Sequence, residues 1–271
     1  MGIALAQLQD RARRLTGLHV KGDPLILFNV WDAGSAKAVR DAGAQAIATG
    51  SWSVAAAHGY GDGEQLLFDL VVANVQRIAA SVDLAVTVDL ESRYGRGGAQ
   101  IEENVARVIA AGAVGINFED QWIGEGVIYC VEEQSARIAA VRAAAVAASV
   151  PMFINARTDL FLESEPARHP EHMDDAIRRA RAYSDAGASG LFVPGLRDPA
   201  LIARICEGST MPVNVMFTPE GPTIERLATL GVARVSYGPR PYRQMIAALI
   251  VAAKVALSPR PAHAPSTGSA A

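Results

Sequence analysis

Cysteine is scarce in this sequence: its 271 residues contain two, Cys130 and Cys206. The two lie far apart, without the paired spacing of a disulfide framework. The N-terminus lacks the apolar segment of a secretory signal, because Gln7, Gln9 and Asp10 interrupt it. We therefore expect a protein of the reducing cytoplasm, in which both thiols are buried structural groups.

Long apolar runs and basic clusters are also missing. No run approaches the roughly 20 residues that cross a bilayer, so we expect no membrane span. A formal net charge of −3 without a basic patch argues against nucleic acid and against an anionic membrane surface as partners. The sequence is 50% hydrophobic, which is enough for one or at most two globular domains. These absences favour a small-molecule ligand.

Four segments of the sequence resemble one another. Each ends a helical pattern, places a glycine after it and continues into a short apolar strand. They are DAGAQAIATG at 41–50, AAGAVGINFED at 110–120, DAGASGLFVPG at 185–195 and LGVARVSYGP at 230–239. This recurrence indicates a chain built from alternating helices and strands.

Apolar runs and helical periods predict eight strands and eight helices in alternation. The strands are predicted near 25–30, 45–49, 84–90, 114–118, 151–156, 189–193, 212–216 and 233–237, and the helices near 33–42, 64–80, 99–111, 132–148, 173–186, 198–206, 222–230 and 240–256. Because the strands are continuous apolar runs, we expect a parallel sheet covered by helices. Eight such units in this length predict an α/β fold, a (β/α)8 TIM barrel.

An open, doubly wound sheet is the alternative to a barrel. It predicts a phosphate-binding G-x-G-x-x-G after the first strand, and NVWDAGSA at 29–36 lacks that spacing. We therefore expect one barrel domain over residues 1–257, capped by a helix at 3–16. Residues 258–271, SPRPAHAPSTGSAA, form a tail with no core to join and are expected to be disordered.

Acidic side chains gather where the third and fourth predicted strands end, the edge at which such barrels carry their active sites. Asp89 and Glu91 are two residues apart in VTVDLESRYG, so on a strand they would point to one side, and Glu119 ends the neighbouring strand. Converging carboxylates repel one another unless a cation lies between them, and an all-oxygen set suits Mg²⁺ or Mn²⁺. The alternative is that each acid caps a helix or pairs on the barrel rim.

Arg157 follows the apolar fifth strand in FINARTD. A planar, permanently charged guanidinium that faces a metal site would bind a substrate carboxylate or a developing enolate. The alternative is an arginine of the barrel rim that pairs with Asp159.

Together these motifs resemble the isocitrate lyase/phosphoenolpyruvate mutase superfamily over about residues 20–250. The motifs are NVWDAGSAKAVRDAGAQAIATGSWSVAAAHGYGDGE, VTVDLESRYG, GAVGINFEDQ and FINARTDLFL, in order at successive strand ends. The resemblance implies a (β/α)8 barrel whose last helix is exchanged between partners, and hence a homodimer or homotetramer.

The resemblance also implies roles for individual residues. Asp89 matches the family's direct Mg²⁺ ligand, and Asp62, Glu91 and Glu119 match acids that hold the metal mostly through water. Arg157 matches the arginine that binds the substrate and steadies its enolate.

Other positions match the family's substrate contacts. Gly50 and Ser51 lie at or next to the segment whose backbone N–H groups cradle the substrate carboxylate. Asn214, at the end of the seventh strand, matches a substrate-contacting position. Arg93 stands where the family usually has glycine; it either binds a second substrate carboxylate or pairs with Glu91, and the sequence leaves both open.

Departures from the family bear on the activity. Isocitrate and methylisocitrate lyases carry a Lys-Lys-Cys-Gly-His loop after the fourth strand, but residues 121–134 contain neither lysine nor histidine. Cys130 lies there without the cationic neighbours that lower a thiol pKa, so we interpret its presence as fortuitous. Phosphoenolpyruvate mutases and phosphonopyruvate hydrolases have a lysine in the same loop, which counts against phosphorus chemistry here.

The chemistry that fits needs only a metal, an arginine and an oxo acid. A 2-oxo acid would chelate Mg²⁺ through its C1 carboxylate and C2 carbonyl, and cleavage at C3 would leave an enolate. We therefore expect a carbon–carbon lyase, with decarboxylation of oxaloacetate to pyruvate as the leading hypothesis. Cleavage of a larger 2-hydroxy acid of the methylisocitrate or dimethylmalate type is the first alternative. A phosphonopyruvate hydrolase-type enzyme and a non-catalytic, metabolite-binding relative are the others.

Overall fold

The computed structural model describes residues 3–92, 94, 97–123 and 125–258. Arg93 and residues 259–271 of the predicted tail lie outside this described part. The strands are β1 Leu25–Leu27, β2 Ala46–Ala48, β3 Ala85–Asp89, β4 Gly115–Glu119, β5 Gln121–Trp122, β6 Val127–Ile128, β7 Phe153–Arg157, β8 Gly190–Phe192, β9 Val213–Met216 and β10 Arg234–Ser236.

Ten α-helices are found in the described residues. They are α1 Leu5–Gly17, α2 Ala33–Asp41, α3 Ser51–Ala57, α4 Phe68–Ser81, α5 Gly98–Ala110, α6 Val131–Ala147, α7 His169–Asp185, α8 Pro199–Gly208, α9 Ile224–Thr229 and α10 Arg240–Leu257, with a short 3-10 helix at Pro166–Arg168. Every predicted strand and helix has a counterpart. Helix α3 and the β5–β6 hairpin were not predicted.

Eight strands pair in parallel in the order β1-β10-β9-β8-β7-β4-β3-β2, and β5 and β6 form a separate hairpin. The two ends of this order meet at a parallel bridge between Val30 and Thr49, just beyond β1 and β2. There the N–H of Val30 donates to the carbonyl of Ala48 at 2.8 Å. The predicted (β/α)8 barrel is therefore confirmed.

Gly112 shows why a glycine recurs between helix and strand. It follows α5 with φ +109°, in a region that residues with a side chain rarely adopt. An added Cβ there would lie 2.6 Å from the Cβ of Ala79. The glycine ends the helix and lets the chain turn directly into β4.

Helix α1 covers the amino-terminal end of the barrel. Its Leu15 is fully buried, and an added Cβ at Gly115, where β4 begins, would lie 2.7 Å from Leu15 Cδ2. His19 follows the helix and stacks on Phe153 of β7 with ring centroids 3.8 Å apart. Its Nδ1 lies 2.7 Å from the carbonyl of Leu15. Apolar and aromatic packing therefore closes this end of the barrel.

The two cysteines differ in exposure. Cys206 in α8 is buried, as predicted, and burial raises its thiol pKa to about 11. Cys130 is exposed, so the prediction of a buried thiol is wrong there: this residue precedes α6, where the chain leaves the β5–β6 hairpin. None of the helices in the described part has the length and apolar character to cross a bilayer.

His19 is expected to make the protein sensitive to acid. Burial, aided by the Arg234 cation, lowers its pKa from 6.5 to about 3 in the folded protein. The unfolded chain takes up a proton near pH 6.5 and the folded chain does not, so stability present above pH 6.5 is lost as the pH falls toward 3. Between pH 7 and 5 this residue should cost about 2 kcal/mol of unfolding free energy.

Urea denaturation at pH 7 and pH 5 measures this loss. His19→Phe keeps an aromatic ring against Phe153 but does not titrate, so the variant should lose less stability than the wild type over the same interval. Equal losses in the two proteins would contradict the assignment to His19.

Candidate active site

A cavity of about 340 Å³ opens at the carboxyl ends of the barrel strands. Its polar lining residues include Ser51, Asp62, Asp89, Asn117 and Arg157. Its apolar lining residues include Leu162, Phe192, Pro194 and Met216. The cavity thus brings charged groups and apolar side chains together.

Asp89 ends β3 and faces this cavity. Its Oδ2 accepts the backbone N–H and the hydroxyl of Ser51 at 3.1 and 2.8 Å, and its Oδ1 accepts the side-chain amide of Asn117 at 3.3 Å. Its own N–H donates to the hydroxyl of Thr49 at 3.0 Å. Because a carboxylate oxygen can accept two bonds, Oδ1 keeps one acceptor site open. Asp89 is held in one orientation and can still bind a cation.

Asp62 lies on the loop between α3 and α4 and also lines the cavity. Burial raises the pKa of its carboxyl, and the negative charge of Asp89 adds to the effect. A cation close to both carboxylates would relieve this unfavourable charge.

Two glutamates tie the loop of Asp62 to the end of β3. The N–H of Glu64 donates to Oε1 of Glu91 at 3.0 Å, and the N–H of Ser92 donates to Oε1 of Glu64 at 2.9 Å. Both glutamates have a positive φ, +56° at Glu64 and +55° at Glu91, which is uncommon for residues other than glycine. These bonds set the position of the loop relative to Asp89.

Glu91 does not follow the strand alternation that was used to predict its direction. Strand β3 ends at Asp89, and the left-handed backbone at Glu91 places its carboxylate on the N–H of Glu64. Burial raises the pKa of Glu91 to about 8, and the charges of Asp89 and Asp62 contribute. Glu91 is therefore a buried acid whose pKa depends on the charge of Asp62 and Asp89, the two acids that line the cavity.

Arg157 ends β7 and lines the cavity with two carboxylates bound to it. Its Nε and Nη2 donate to the two oxygens of Asp159 at 2.6 and 2.8 Å, and its Nη1 pairs with Oε2 of Glu119 at 2.6 Å. Burial disfavours the charged guanidinium, but Asp159 and Glu119 hold its pKa well above the ordinary value. The pairing with Asp159 that was the alternative interpretation is observed, and the guanidinium also faces the cavity.

Glu119 is paired with Arg157 behind the cavity wall. Burial raises the pKa of Glu119 well above its ordinary value, although Arg157 opposes this. Within the part of the chain that the structure describes, no three acidic, histidine or cysteine side chains surround one ion position. Asp62 and Asp89 line the cavity and Glu91 and Glu119 do not, and the metal roles of all four stay predictions.

Asp120 supports the segment that carries Arg157 and Asp159. Its Oδ1 accepts the backbone N–H of Asp159 at 3.0 Å, and its Oδ2 accepts Arg179 Nη1 and the hydroxyl of Tyr183 at 3.1 and 2.8 Å. All of these groups are buried. Helix α7 therefore braces the end of β7 through one carboxylate.

The predicted substrate contacts fall into two groups. Gly50 and Ser51 line the cavity, but their N–H groups already donate to a backbone carbonyl and to Asp89. Asn214 is not among the lining residues; its amide donates to the hydroxyl of Ser236 at 3.1 Å inside the barrel. The assignment of these residues to substrate binding stays a prediction.

Arg243 and Trp52 line the cavity and were not singled out from the sequence. Arg243 lies in the first turn of α10, with its guanidinium carbon 4.4 Å from the centroid of the Trp52 ring. Only the closure of the barrel brings α10 next to α3, so no spacing in the sequence connects the two. A tryptophan directly after Gly50 and Ser51 was the one available signal.

The fold and the site define a class of protein: a (β/α)8 barrel whose cavity at the strand ends is lined by the carboxylates Asp62 and Asp89 and by Arg157. The phosphoenolpyruvate phosphomutase family model matches residues 15–257, and the chain belongs to this family. The predicted superfamily is thereby confirmed. The solved structure of a phosphonomutase-like protein from Burkholderia cenocepacia J2315 is 50% identical with a TM-score of 0.90, over 92% of this chain and 99% of that chain.

Relatives with described activities point to more than one reaction. The 2-methylisocitrate lyase of Escherichia coli K12 is 29% identical over 235 residues, which are 83% of this chain and 77% of the relative. The oxaloacetate decarboxylase of Rhodopseudomonas palustris is 31% identical over 168 residues, 59% of this chain and 55% of the relative. An uncharacterized protein of Mycobacterium tuberculosis H37Rv is 37% identical over 228 residues, 83% of this chain and 81% of the relative.

Proposed function

We propose that this protein is an Mg²⁺-dependent carbon–carbon lyase that acts on a 2-oxo or 2-hydroxy carboxylic acid through an enolate. Decarboxylation of oxaloacetate to pyruvate is the reaction we favour. The observation that carries the proposal is the placement of Asp89, with one open oxygen, and Arg157, with a fixed guanidinium, on the same cavity. That pair can hold a cation and a carboxylate together.

The donor groups at the cavity fit Mg²⁺ or Mn²⁺. Asp89 and Asp62 offer oxygen atoms, and no histidine or cysteine is among the described lining residues. A divalent cation would also offset the charge that helps to raise the pKa of Glu91. When bound, the metal supplies Lewis-acid polarisation of the substrate carbonyl. Asp89 would hold it directly, and Asp62, Glu91 and Glu119 would hold it through water.

Arg157 supplies the protein's own stabilisation of developing negative charge. Its bonds to Asp159 and Glu119 fix the guanidinium before a substrate arrives. A donor that is already oriented needs no reorganisation when the substrate oxygen becomes an enolate. Phe192, whose ring centroid lies 5.9 Å from the guanidinium carbon of Arg157, and Met216 are apolar lining residues that lower the local dielectric, which strengthens that interaction.

The lining residues favour decarboxylation over aldol-type cleavage. Loss of CO₂ from a 2-oxo acid requires no proton removal, whereas cleavage of a 2-hydroxy acid requires a base for the hydroxyl proton. No lysine, histidine or cysteine lines the cavity in the described part of the chain, and the carboxylates that do line it, Asp62 and Asp89, are assigned to the metal in this proposal. Cleavage of a methylisocitrate- or dimethylmalate-type substrate is the alternative, because the lyase of Escherichia coli is a relative.

Arg243 indicates a substrate with a second carboxylate. It lines the cavity together with Arg157, and it forms no ion pair with the described residues. Stacking on Trp52 orients a guanidinium without using its N–H donors. A dicarboxylate could therefore bind the metal beside Asp89 through one carboxylate and Arg243 through the other.

Pyruvate formation from oxaloacetate tests the reaction. With Mg²⁺ or Mn²⁺ the wild type should exceed the metal-only background, and chelator should abolish the difference. Asp89→Asn and Arg157→Gln should each lower kcat/KM by about 10²-fold or more, because the first removes the carboxylate that would hold the metal and the second removes the cation that would stabilise the enolate. Asp69→Asn is the matched control, since Asp69 is an exposed acid on α4 that pairs with Arg107.

A wider substrate panel separates the alternatives. Turnover of 2-hydroxy di- or tricarboxylates without turnover of oxaloacetate would replace the decarboxylase by the aldol-type lyase. Phosphate release from phosphonopyruvate would indicate the hydrolase-type enzyme. Binding of oxalate or pyruvate with no turnover of any substrate would indicate a non-catalytic relative.

Arg243→Gln should raise the KM for oxaloacetate by about tenfold and change kcat little. The reason is that the carboxylate it would bind takes no part in the charge that develops on the enolate, so the contact stabilises the bound substrate and the transition state about equally. Oxalate would bind at the metal and not at Arg243, so it should inhibit the wild type and Arg243→Gln equally. A loss confined to kcat, or a parallel loss of oxalate inhibition, would show that Arg243 acts elsewhere.

We further propose that copies of the chain associate as a homodimer or homotetramer by exchanging α10. Pro241 is the one buried residue of this helix, and its second half exposes large apolar side chains. On the barrel, Ile26 and Phe28 are 37% and 41% exposed and line an open groove of about 590 Å³ beside α2. Helices ring the outside of such a barrel, so α10 of a second copy is the occupant that suits this groove.

Charge placed on either surface should dissociate the oligomer. Val251→Glu on α10 and Phe28→Glu in the groove are each expected to raise the dissociation constant more than about tenfold, because an interface core excludes unpaired charge. Light scattering after size-exclusion chromatography measures the mass. Val146→Glu, at an equally exposed apolar position on α6, should keep the wild-type mass. Wild-type mass in both test variants would refute the exchange.

A further inference from the structure

Arg234, the first residue of β10, is a cation in the barrel interior that the proposed chemistry leaves unused. Its side chain is completely buried, and it lies two residues before Ser236, which lines the cavity. Strands β10 and β4 are opposite each other in the ring of eight. Nη2 of Arg234 donates to Oδ1 of Asn117 on β4 at 3.0 Å. The guanidinium therefore crosses the barrel below the cavity.

Among the described residues, no carboxylate is in direct contact with the guanidinium of Arg234. Its Nε and Nη1 have no hydrogen-bond partner among the described residues. Burial lowers its pKa to about 9, and the negative charge of Asp89 opposes that shift, so the group is charged at neutral pH. An apolar side chain of similar size often serves stability at least as well as such a buried ion.

Arg234 decides which way the amide of Asn117 points. A guanidinium can only donate, so the atom of Asn117 that it contacts must be the oxygen. The amide of Asn155 donates to the same oxygen at 2.9 Å. The NH₂ group of Asn117 is thereby turned up to Oδ1 of Asp89, at 3.3 Å.

We propose that Arg234 is a positioning residue for Asp89 and for the anion bound above it, because it orients Asn117 and places a fixed positive charge beneath the cavity. The inference rests on the proposed function in that it takes the cavity to bind a metal and a carboxylate. It does not depend on which substrate is turned over.

The two effects of Arg234 differ for a cation and for an anion. Its charge opposes binding of a divalent cation, while the orientation of Asn117 favours the ligating form of Asp89. For the metal, these two contributions offset each other. For a bound dianion, the positive charge of Arg234 is favourable and no second contribution acts against it. Loss of Arg234 should therefore weaken the binding of oxalate far more than that of the metal.

Arg234→Met tests this separation of effects. Mn²⁺ affinity, measured by electron paramagnetic resonance, should stay within about threefold, and calorimetry should show oxalate binding to the Mn²⁺-loaded protein weakened by about tenfold or more. Arg234→Lys keeps the charge and should restore oxalate affinity to within about threefold of the wild type. The melting temperature of Arg234→Met should equal or exceed that of the wild type.

Arg142→Met is the matched control, because Arg142 is a half-buried arginine that donates to the carbonyl of Gly187 away from the cavity. It should leave both affinities unchanged. Oxalate affinity within twofold of the wild type in Arg234→Met would overturn the proposal. So would a loss that Arg234→Lys does not restore, or a lowered melting temperature with wild-type affinities.

Asn117→Leu provides a second route if Arg234→Met does not fold. It keeps the guanidinium charge and a side chain of similar shape but removes the bond to Asp89, so Mn²⁺ affinity should fall by about tenfold while oxalate affinity of the Mn²⁺-loaded protein stays within about threefold. Wild-type Mn²⁺ affinity in this variant would also overturn the proposal. These are binding measurements, so a wild type that binds Mn²⁺ and oxalate but forms no pyruvate would refute the decarboxylase and leave the role of Arg234 standing.

Discussion

Balance between buried carboxylates and guanidinium groups is the constraint on which the site depends. A carboxylate removed from water is unfavourable unless cations or hydrogen-bond donors compensate for the lost solvation. Arg157 compensates Glu119 and Asp159, and Arg179 with Tyr183 compensates Asp120. The two acids that face the cavity, Asp62 and Asp89, accept hydrogen bonds but form no ion pair with any of the described residues. The remaining negative charge therefore lies where the barrel opens to solvent.

The fold could be predicted from the sequence because its signals are local. A glycine after each helix, followed by a continuous apolar run, specifies a helix-to-strand unit wherever it occurs, as Gly112 illustrates. Repetition of that unit then leaves few architectures. Helix α3 and the β5–β6 hairpin escaped prediction because they are short insertions outside the repeated unit of helix, glycine and strand.

The candidate site could be predicted only in part. Residues at strand ends, such as Asp89 and Arg157, are placed by the barrel topology, and the cavity contains both. Glu91 was assigned a direction by strand alternation, but β3 ends at Asp89 and the backbone at Glu91 is left-handed. Arg234 and Arg243 carry no local signal, because their partners lie across the barrel and on another helix. Side chains whose neighbours come from remote parts of the chain require the structure.

The left-handed backbone at Glu64 and Glu91 limits how this part of the sequence can diverge. Glycine, asparagine and aspartate adopt that conformation readily, whereas β-branched residues do not. Small or amide residues could therefore replace the glutamates without rebuilding the loop, but they would remove its two carboxylate cross-links to β3. Substitution at these two positions would make the position of Asp62 less well defined without disturbing the barrel. The geometry of the loop can therefore change while the fold stays constant.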